Sequence, residues 1–86
     1  MKPVSKTKKS LAIPARSSLQ LAQALRRFRR LQGRSQVAVG ESAGLRQATV
    51  SKAEQGSSTT ELGTIFSLCA ALGLELVVRA RPPTQE

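Results

Sequence analysis

Residues 35–56 read SQVAVGESAGLRQATVSKAEQG, and this stretch predicts two short helices joined by a tight turn. Ser35 is a typical N-cap residue, because its hydroxyl can accept a hydrogen bond from a free backbone N–H at the helix start. Gly44 can end the first helix, since a tight corner between helices needs a residue that tolerates positive φ. Gly40 stands where only a very small side chain allows the two helices to approach closely.

The second helix of this stretch has an apolar side and a polar side. Val50 and Ala53, spaced at i and i+3, are expected to face a core. The polar side carries Arg46, Gln47, Thr49, Ser51 and Lys52. Glutamine can bind adenine through two hydrogen bonds, Arg and Lys can bind guanine, and hydroxyls can bind phosphates. This side therefore has the chemistry that a helix in a DNA major groove requires; the alternative is a helical hairpin with a solvated polar face.

The composition favours a polyanionic partner. The 86 residues include 14 Lys and Arg against 5 Asp and Glu, a formal net charge of +9. Such an excess attracts DNA, RNA or an acidic membrane surface. Phe28 and Phe66 are the only aromatic residues, whereas single-stranded RNA modules stack bases on exposed aromatic side chains. DNA is therefore favoured, and a small RNA-associated protein or a module for an acidic protein partner is kept as an alternative.

Other functions are disfavoured by missing residue types. The chain has no His and one Cys, so imidazole catalysis is excluded, and neither an internal disulfide nor a thiolate metal site is expected. Cys69 falls on the apolar side of a predicted helix and is interpreted as a buried structural thiol. No stretch approaches the roughly 20 apolar residues of a membrane span, and the N-terminus lacks a signal peptide's apolar run. We expect a cytoplasmic protein that is not an enzyme and uses no metal or cofactor.

The chain divides into three predicted parts. Residues 1–16 form a disordered basic arm, which is either a solubilising tail or a segment that follows phosphates or enters a minor groove. Residues 17–81 form one folded domain, and residues 82–86 form a short flexible tail. The domain begins with a helix over residues 18–32, capped by Ser17 or Ser18.

Apolar spacing defines the sides of the first helix and of the last. In the first helix Leu21, Leu25 and Phe28 form an inward stripe. Its outward sides are assigned Arg26, Arg27, Arg29 and Arg30. The last helix covers residues 60–72 and follows Ser58 and Glu61, which have the spacing of a capping box. This helix is more apolar than one small monomer can bury, so a second copy of the chain is expected to cover it.

Residues 74–81 alternate with period two and are rich in β-branched side chains, which predicts a β-strand that ends at Pro82. A single strand cannot satisfy its own backbone groups. We therefore expect it to pair with the same strand of a second protomer about a two-fold axis; the alternative is an extended tail packed on the helices. The predicted dimer interface comprises Leu74, Leu76, Val77, Val78 and Arg79.

The chain resembles the Cro/C1 (Xre) family of helix-turn-helix proteins. The resemblance rests on Ser35-Gln36, Val39-Gly40, Gly44 and Glu54-Gln55-Gly56, with Arg34 standing where the family usually has an apolar residue. Within that family, residues 17–80 are most similar to HipB-type antitoxins. The most particular segments are Leu21-Ala22-Gln23-Ala24-Leu25, Gln47-Ala48-Thr49-Val50-Ser51, Thr59-Thr60-Glu61-Leu62 and Leu72-Gly73-Leu74-Glu75-Leu76.

The resemblance implies an all-α domain of four to five helices with one short C-terminal β-strand that pairs across a homodimer. It also implies binding to palindromic operators as a bacterial, nucleoid-associated repressor, and neutralisation of a HipA-type Ser/Thr kinase toxin. Carried over position by position, it implies base contacts from Arg46, Gln47, Ala48, Thr49 and Lys52. The implied phosphate contacts are Ser35, Gln36 and Ser51. A free-standing phage-type repressor or a restriction-controller protein without a kinase partner is the alternative.

Overall fold

The computed structural model describes residues 11–83, which form four α-helices. They are α1 (Ser18–Leu31), α2 (Gln36–Ala43), α3 (Gln47–Glu54) and α4 (Leu62–Leu72). The all-α helix-turn-helix fold expected from the sequence is thereby confirmed. None of these helices among the described residues is long and apolar enough to cross a membrane.

The core lies where all four helices meet. It is built from aliphatic side chains and one cysteine: Leu25, Val39, Val50, Ala53, Ile65, Leu68, Cys69 and Leu72. Val39 and Val50 have no exposed surface at all, so α2 and α3 meet through their β-branched side chains. Burial raises the pKa of the Cys69 thiol, which keeps it protonated and agrees with its interpretation as a structural residue.

The turn between α2 and α3 has the geometry predicted from its residues. Ser35 is the N-cap of α2, and its hydroxyl accepts a hydrogen bond from the backbone N–H of Ala38 at 3.0 Å. Gly44 ends the helix in the left-handed region at φ 72°. A Cβ atom on Gly40 would lie 2.7 Å from the carbonyl oxygen of Leu45 and 3.4 Å from a methyl of Val50. The close approach therefore requires glycine at position 40.

The start of α4 differs from the prediction. The helix begins at Leu62, and Glu61 is its N-cap with extended backbone and no side-chain capping bond. The predicted capping box of Ser58 and Glu61 is therefore wrong. The hydroxyl of Ser57 instead accepts a hydrogen bond from the backbone N–H of Thr59 at 3.2 Å, so the preceding loop folds on itself before the helix starts.

Arg34 ties the turn after α1 to the end of α4. Its guanidinium donates hydrogen bonds to the carbonyl oxygen of Ala71 and to the hydroxyl of Ser42, both at 2.7 Å. Gln32 donates to the carbonyl oxygen of Leu72, also at 2.7 Å. The last carbonyls of a helix have no partner within the helix, so these two side chains supply the missing donors. An arginine thus replaces the apolar contact expected at position 34.

The predicted C-terminal strand is not formed within the described part of one chain. Residues 74–83 belong to no helix and no strand there. Leu74 packs on the core, whereas Val77 and Val78 are 68% and 100% exposed. Pairing with a second protomer therefore stays a prediction. Of the predicted basic arm, residues 1–10 lie outside the described residues, as do residues 84–86 of the predicted tail.

Two helical glycines provide a matched test of the packing between α2 and α3. We expect Gly40→Ala to lower the free energy of unfolding by about 1–3 kcal/mol, because the added methyl group collides with backbone. Gly63→Ala should leave the free energy unchanged or raise it by up to about 1 kcal/mol, since a Cβ atom there meets nothing within 4 Å and alanine favours helix. Urea denaturation measures both; equal effects would contradict the close approach at Gly40.

Candidate DNA-binding surface

The first turn of α3 presents polar side chains to solvent. Arg46 is the N-cap, with extended backbone at φ −75° and ψ 152° and no side-chain capping bond. Arg46, Gln47, Ala48 and Lys52 are exposed, while Thr49 and Ser51 are half-buried. The structure therefore places Gln47, Ala48 and Lys52 on the solvent side of α3, with Arg46 at its N-cap. Thr49 lies nearer the buried side of the helix. Contact between these residues and DNA stays a prediction.

The start of α2 lies beside the start of α3. The side-chain amide of Gln47 donates a hydrogen bond to Oε1 of Gln36 at 2.6 Å. The amide of Gln36 in turn donates to Oε1 of Glu54 at 3.0 Å. Gln47 and Gln36, predicted to bind a base and a phosphate respectively, are thus hydrogen-bonded to each other in the free protein.

A buried ion pair stands behind these glutamines. Nε and Nη2 of Arg29 donate to the two carboxylate oxygens of Glu54 at 2.6 and 2.9 Å, and only 10% and 5% of the two side chains is exposed. The third guanidinium nitrogen donates to the carbonyl oxygen of Arg34 at 2.8 Å. Two parallel N–H···O bonds are the strongest arrangement for an arginine and a carboxylate.

The environment of Glu54 contains opposing effects on its pKa. Burial alone raises the pKa of a carboxyl group, but hydrogen bonds from Arg29 and Gln36 outweigh it, and the charges of Arg29 and Arg26 act in the same direction. The pKa of Glu54 is therefore lowered from its ordinary value. At neutral pH the side chain is a carboxylate that can only accept hydrogen bonds.

A polar cleft connects this pair to the outer surface. Its lining consists of Arg26, Gln36, Ser51, Glu54 and Gln55. The cleft thus lies between α1, the start of α2 and the second half of α3, and it places the exposed Arg26 beside two predicted phosphate contacts, Gln36 and Ser51. The sequence places Arg26 in a cluster of α1 arginines of which one or two could reach a phosphate, but it does not distinguish Arg26 from the others.

The predicted phosphate contact Ser35 is exposed and already caps α2. Capping uses a lone pair of the hydroxyl oxygen, so its proton is still available to donate to a phosphate. The capping role and the predicted phosphate contact are therefore compatible. The predicted dimer-interface residues lie elsewhere, after the end of α4: Leu74 is half-buried, and Leu76, Val77, Val78 and Arg79 are exposed.

The sequence interpretation placed Arg29 on an outward side of α1, and this is wrong. Arg29 follows Leu25 by four residues and Ala22 by seven, which is the spacing of the buried side of the helix. This spacing indicates that Arg29 faces the core. The outward assignment rests instead on the charge of arginine, a residue that usually lies in solvent. Its partner Glu54 ends α3 directly after the buried Ala53.

Comparison with known proteins assigns the family. The helix-turn-helix family profile (HTH_3) matches residues 25–78, which is more than half of the chain. The chain therefore belongs to the Cro/C1-type (Xre) family of DNA-binding helix-turn-helix regulators. No curated protein sequence matches it significantly.

Solved structures of HipB share this fold. HipB in complex with an O4 20mer has a TM-score of 0.76 at 29% identity, covering 80% of this chain and 97% of that one. A HipB variant with one serine changed to alanine, in complex with an O2 20mer, has a TM-score of 0.78 at 29% identity, covering 85% and 100%. A complex of HipA, HipB, O2 and O3 has a TM-score of 0.76 at 29% identity, covering 80% and 97%.

The buried pair leads to a stability prediction. Glu54→Ala should lower the free energy of unfolding by about 3–5 kcal/mol, because it leaves the buried Arg29 charge without a counter-charge. Replacing both residues by Met should change it by less than about 2 kcal/mol, since no charge is then left behind. Glu61→Ala, at an exposed glutamate, is the control and should stay within about 0.5 kcal/mol. Urea denaturation measures the free energy of unfolding of each variant. Similar losses for all three variants would contradict a stabilising role of the pairing between Arg29 and Glu54.

The same pair predicts a pH dependence. Because the folded-state pKa of Glu54 is lowered, its contribution to stability is present above the ordinary value of 4.5. That contribution is lost as the pH falls through the folded-state pKa. The wild-type protein should therefore lose more stability below pH 4.5 than the double Met variant does. If the free energy of unfolding of the two proteins fell equally with decreasing pH, the predicted contribution of the Glu54 carboxylate would be contradicted.

Proposed function

We propose that this protein is the antitoxin of a HipBA-type toxin–antitoxin system. It represses transcription by binding palindromic operator DNA as a homodimer, and it neutralises a HipA-type Ser/Thr kinase. The observation that carries the proposal is the likeness to HipB, which extends over 97% of the HipB chain in a complex with HipA, O2 and O3. We propose that the protein is a regulator and not an enzyme, as is typical of this family.

The surface of α3 supports the DNA-binding part of the proposal. Arg46 and Gln47 stand at the first turn, where a recognition helix meets base edges in the major groove. Ala48, Thr49 and Lys52 continue along the same helix and are proposed as further base contacts. Phosphate contacts are proposed from Ser35, Gln36 and Ser51. The formal net charge of +9 favours association with DNA and makes the affinity dependent on salt.

Gln47 provides the test of sequence readout. Selection from a library of random 20-bp duplexes should yield one palindromic site. Gln47→Ala should weaken binding to that site by about 1–3 kcal/mol and binding to random DNA by little, because a base-edge contact is lost. Gln23→Ala, at an exposed glutamine of α1, is the matched control and should bind both as wild type does. An equal loss on both DNAs would identify Gln47 as a phosphate contact.

Exposed apolar side chains support the homodimer. Leu62 and Phe66, one turn apart on α4, are 63% and 52% exposed. Leu76, Val77 and Val78 are 40%, 68% and 100% exposed in the segment that follows. Several large apolar side chains exposed on α4 and on the segment that follows it are typical of a surface that another chain covers. A second copy would also provide backbone partners for the predicted strand of residues 74–81.

Val78 offers a test of strand pairing. Val78→Pro removes a backbone N–H and should abolish or weaken the dimer, because a proline within a paired strand removes a ladder hydrogen bond. Val78→Thr has a similar shape and keeps the N–H, so it should leave the dimer intact. Light scattering at micromolar concentration measures the mass of each. A monomeric wild-type protein would overturn the proposed dimer.

The kinase partner is tested separately from DNA binding. The neighbouring gene is expected to encode a HipA-type kinase. Adding this protein to that kinase should suppress phosphorylation in proportion to the complex formed. Specific operator binding without any effect on the kinase, or the absence of such a gene, would favour the free-standing repressor. Failure to select any DNA site would overturn the repressor function itself.

A further inference from the structure

Four side chains form a directed chain of hydrogen bonds from the interior to the surface of α3. Arg29 donates twice to Glu54, Gln36 donates to Glu54 at 3.0 Å, and Gln47 donates to Gln36 at 2.6 Å. Arg29 and Glu54 are buried, Gln36 is half-buried, and Gln47 is exposed. The chain therefore connects a buried carboxylate to the residue at the start of the recognition helix.

The chemistry of the buried end determines the direction of the whole chain. A carboxylate accepts hydrogen bonds and cannot donate them, and an arginine donates and cannot accept. The atom of Gln36 that contacts Glu54 must therefore be its Nε2. Its Oε1 is then the atom that faces Gln47, so Gln47 must donate through its own Nε2. The two ends of a glutamine amide are nearly equal in shape, and here only the carboxylate distinguishes them.

The direction of these hydrogen bonds determines which polar atoms of Gln47 can bind a ligand at the surface. Gln47 has one N–H committed to Gln36, which leaves one N–H and the carbonyl oxygen for a ligand. One donor beside one acceptor matches the major-groove edge of adenine, which offers the N7 acceptor and the N6 donor. Guanine offers two acceptors, N7 and O6, and Gln47 held in this way has only one free N–H for them. A Gln47 side chain that turns freely would present both of its N–H groups and would tolerate guanine better.

We propose that Glu54 is a positioning residue for base readout: acting through Gln36, it holds the amide of Gln47 in the one orientation that distinguishes adenine from guanine. The proposal rests on the proposed DNA-binding function and adds a determinant of specificity that does not itself reach the DNA. It assigns the buried pair two roles, because the same carboxylate that neutralises Arg29 also orients the two glutamines.

The experiment compares base preference among variants. The probes are the duplex selected by the wild-type protein and the same duplex with A·T replaced by G·C at the base pair that Gln47→Ala identifies. Wild type should prefer adenine by about fivefold to a hundredfold, the range expected for one bidentate contact. Gln36→Leu removes the link and leaves the ion pair intact, so the preference should fall towards one. Gln23→Leu is the matched control and should keep it.

The role of Glu54 itself is tested by replacing Arg29 and Glu54 together with Met, which removes the carboxylate without leaving a buried charge. This variant should lose the adenine preference as Gln36→Leu does. Glu54→Gln is measured beside it, since an amide at position 54 can present either end to Gln36, and its preference should also fall. Thermal melting establishes which variants are folded, and base preference is compared among the folded variants.

A purely structural role for Glu54 would give a different result. A loosened fold weakens binding to every probe or reduces discrimination at all base pairs. A positioning role reduces it only at the base pair that Gln47 contacts and leaves the others unchanged. Folded variants that keep the full adenine preference would overturn the proposal. Failure of the wild-type protein to select any sequence would overturn the proposed function instead, so the two failures are distinguishable.

Discussion

A carboxylate and a guanidinium, both nearly removed from water, lie between α1 and α3. Removing either charge from water is unfavourable by several kcal/mol, and the pair is tolerated only if its hydrogen bonds are complete. Here the carboxylate receives N–H groups from Arg29 and Gln36, and the guanidinium is also bound by the carbonyl of Arg34. All of these bonds form together only when α1, α2 and α3 are correctly placed. The pair therefore favours one arrangement of the helix-turn-helix over its near alternatives.

The apolar core alone would specify this arrangement less sharply. Eight buried side chains fill it, most of them aliphatic, and such side chains tolerate small shifts between helices better than directional bonds do. Gly40 adds a second constraint, since a Cβ atom there would lie 2.7 Å from the carbonyl oxygen of Leu45 in the turn and 3.4 Å from a methyl of Val50 on α3. Steric contact at Gly40 thus limits how closely the turn and α3 pack on α2, and the ion pair links α3 to α1.

Much of the fold was predictable because its signals are local. Ser35 and Gly44 specify the start and end of α2 through their own capping chemistry, and a glycine at position 40 by itself indicates a close approach. The contacts that were missed are long-range. Arg29 and Glu54 are 25 residues apart, and Arg34 binds Ala71 at a separation of 37. The spacing of Arg29 from Leu25 indicates that it faces the core, but no local pattern identifies Glu54 or Ala71 as a partner.

The prediction of a capping box at Ser58 and Glu61 is wrong because sequence spacing does not fix the hydrogen-bond partner of a hydroxyl group. The spacing of Ser58 and Glu61 fits the motif, but a hydroxyl can equally bind a backbone N–H inside a loop. The bonds of Ser57 to Thr59 show that the loop uses its hydroxyl groups in this way. The residues on the surface of α3 were predictable as a set from their polarity. The hydrogen bond between Gln36 and Gln47 was not, because it depends on how the two helices cross.

Arg34 extends these constraints to the end of α4. Its backbone carbonyl accepts from Arg29, and its side chain donates to the end of α4. The segment that follows α4 contains the exposed side chains proposed to form the dimer. In a two-fold dimer the distance between the two recognition helices must match the spacing of the half-sites on DNA. The hydrogen bonds of Arg34 link the end of α1 to the end of α4 and so to the segment of the proposed dimer interface, whereas an apolar contact at this corner would make no directional bond. An arginine in place of an apolar residue is therefore consistent with a protein that reads two half-sites at once.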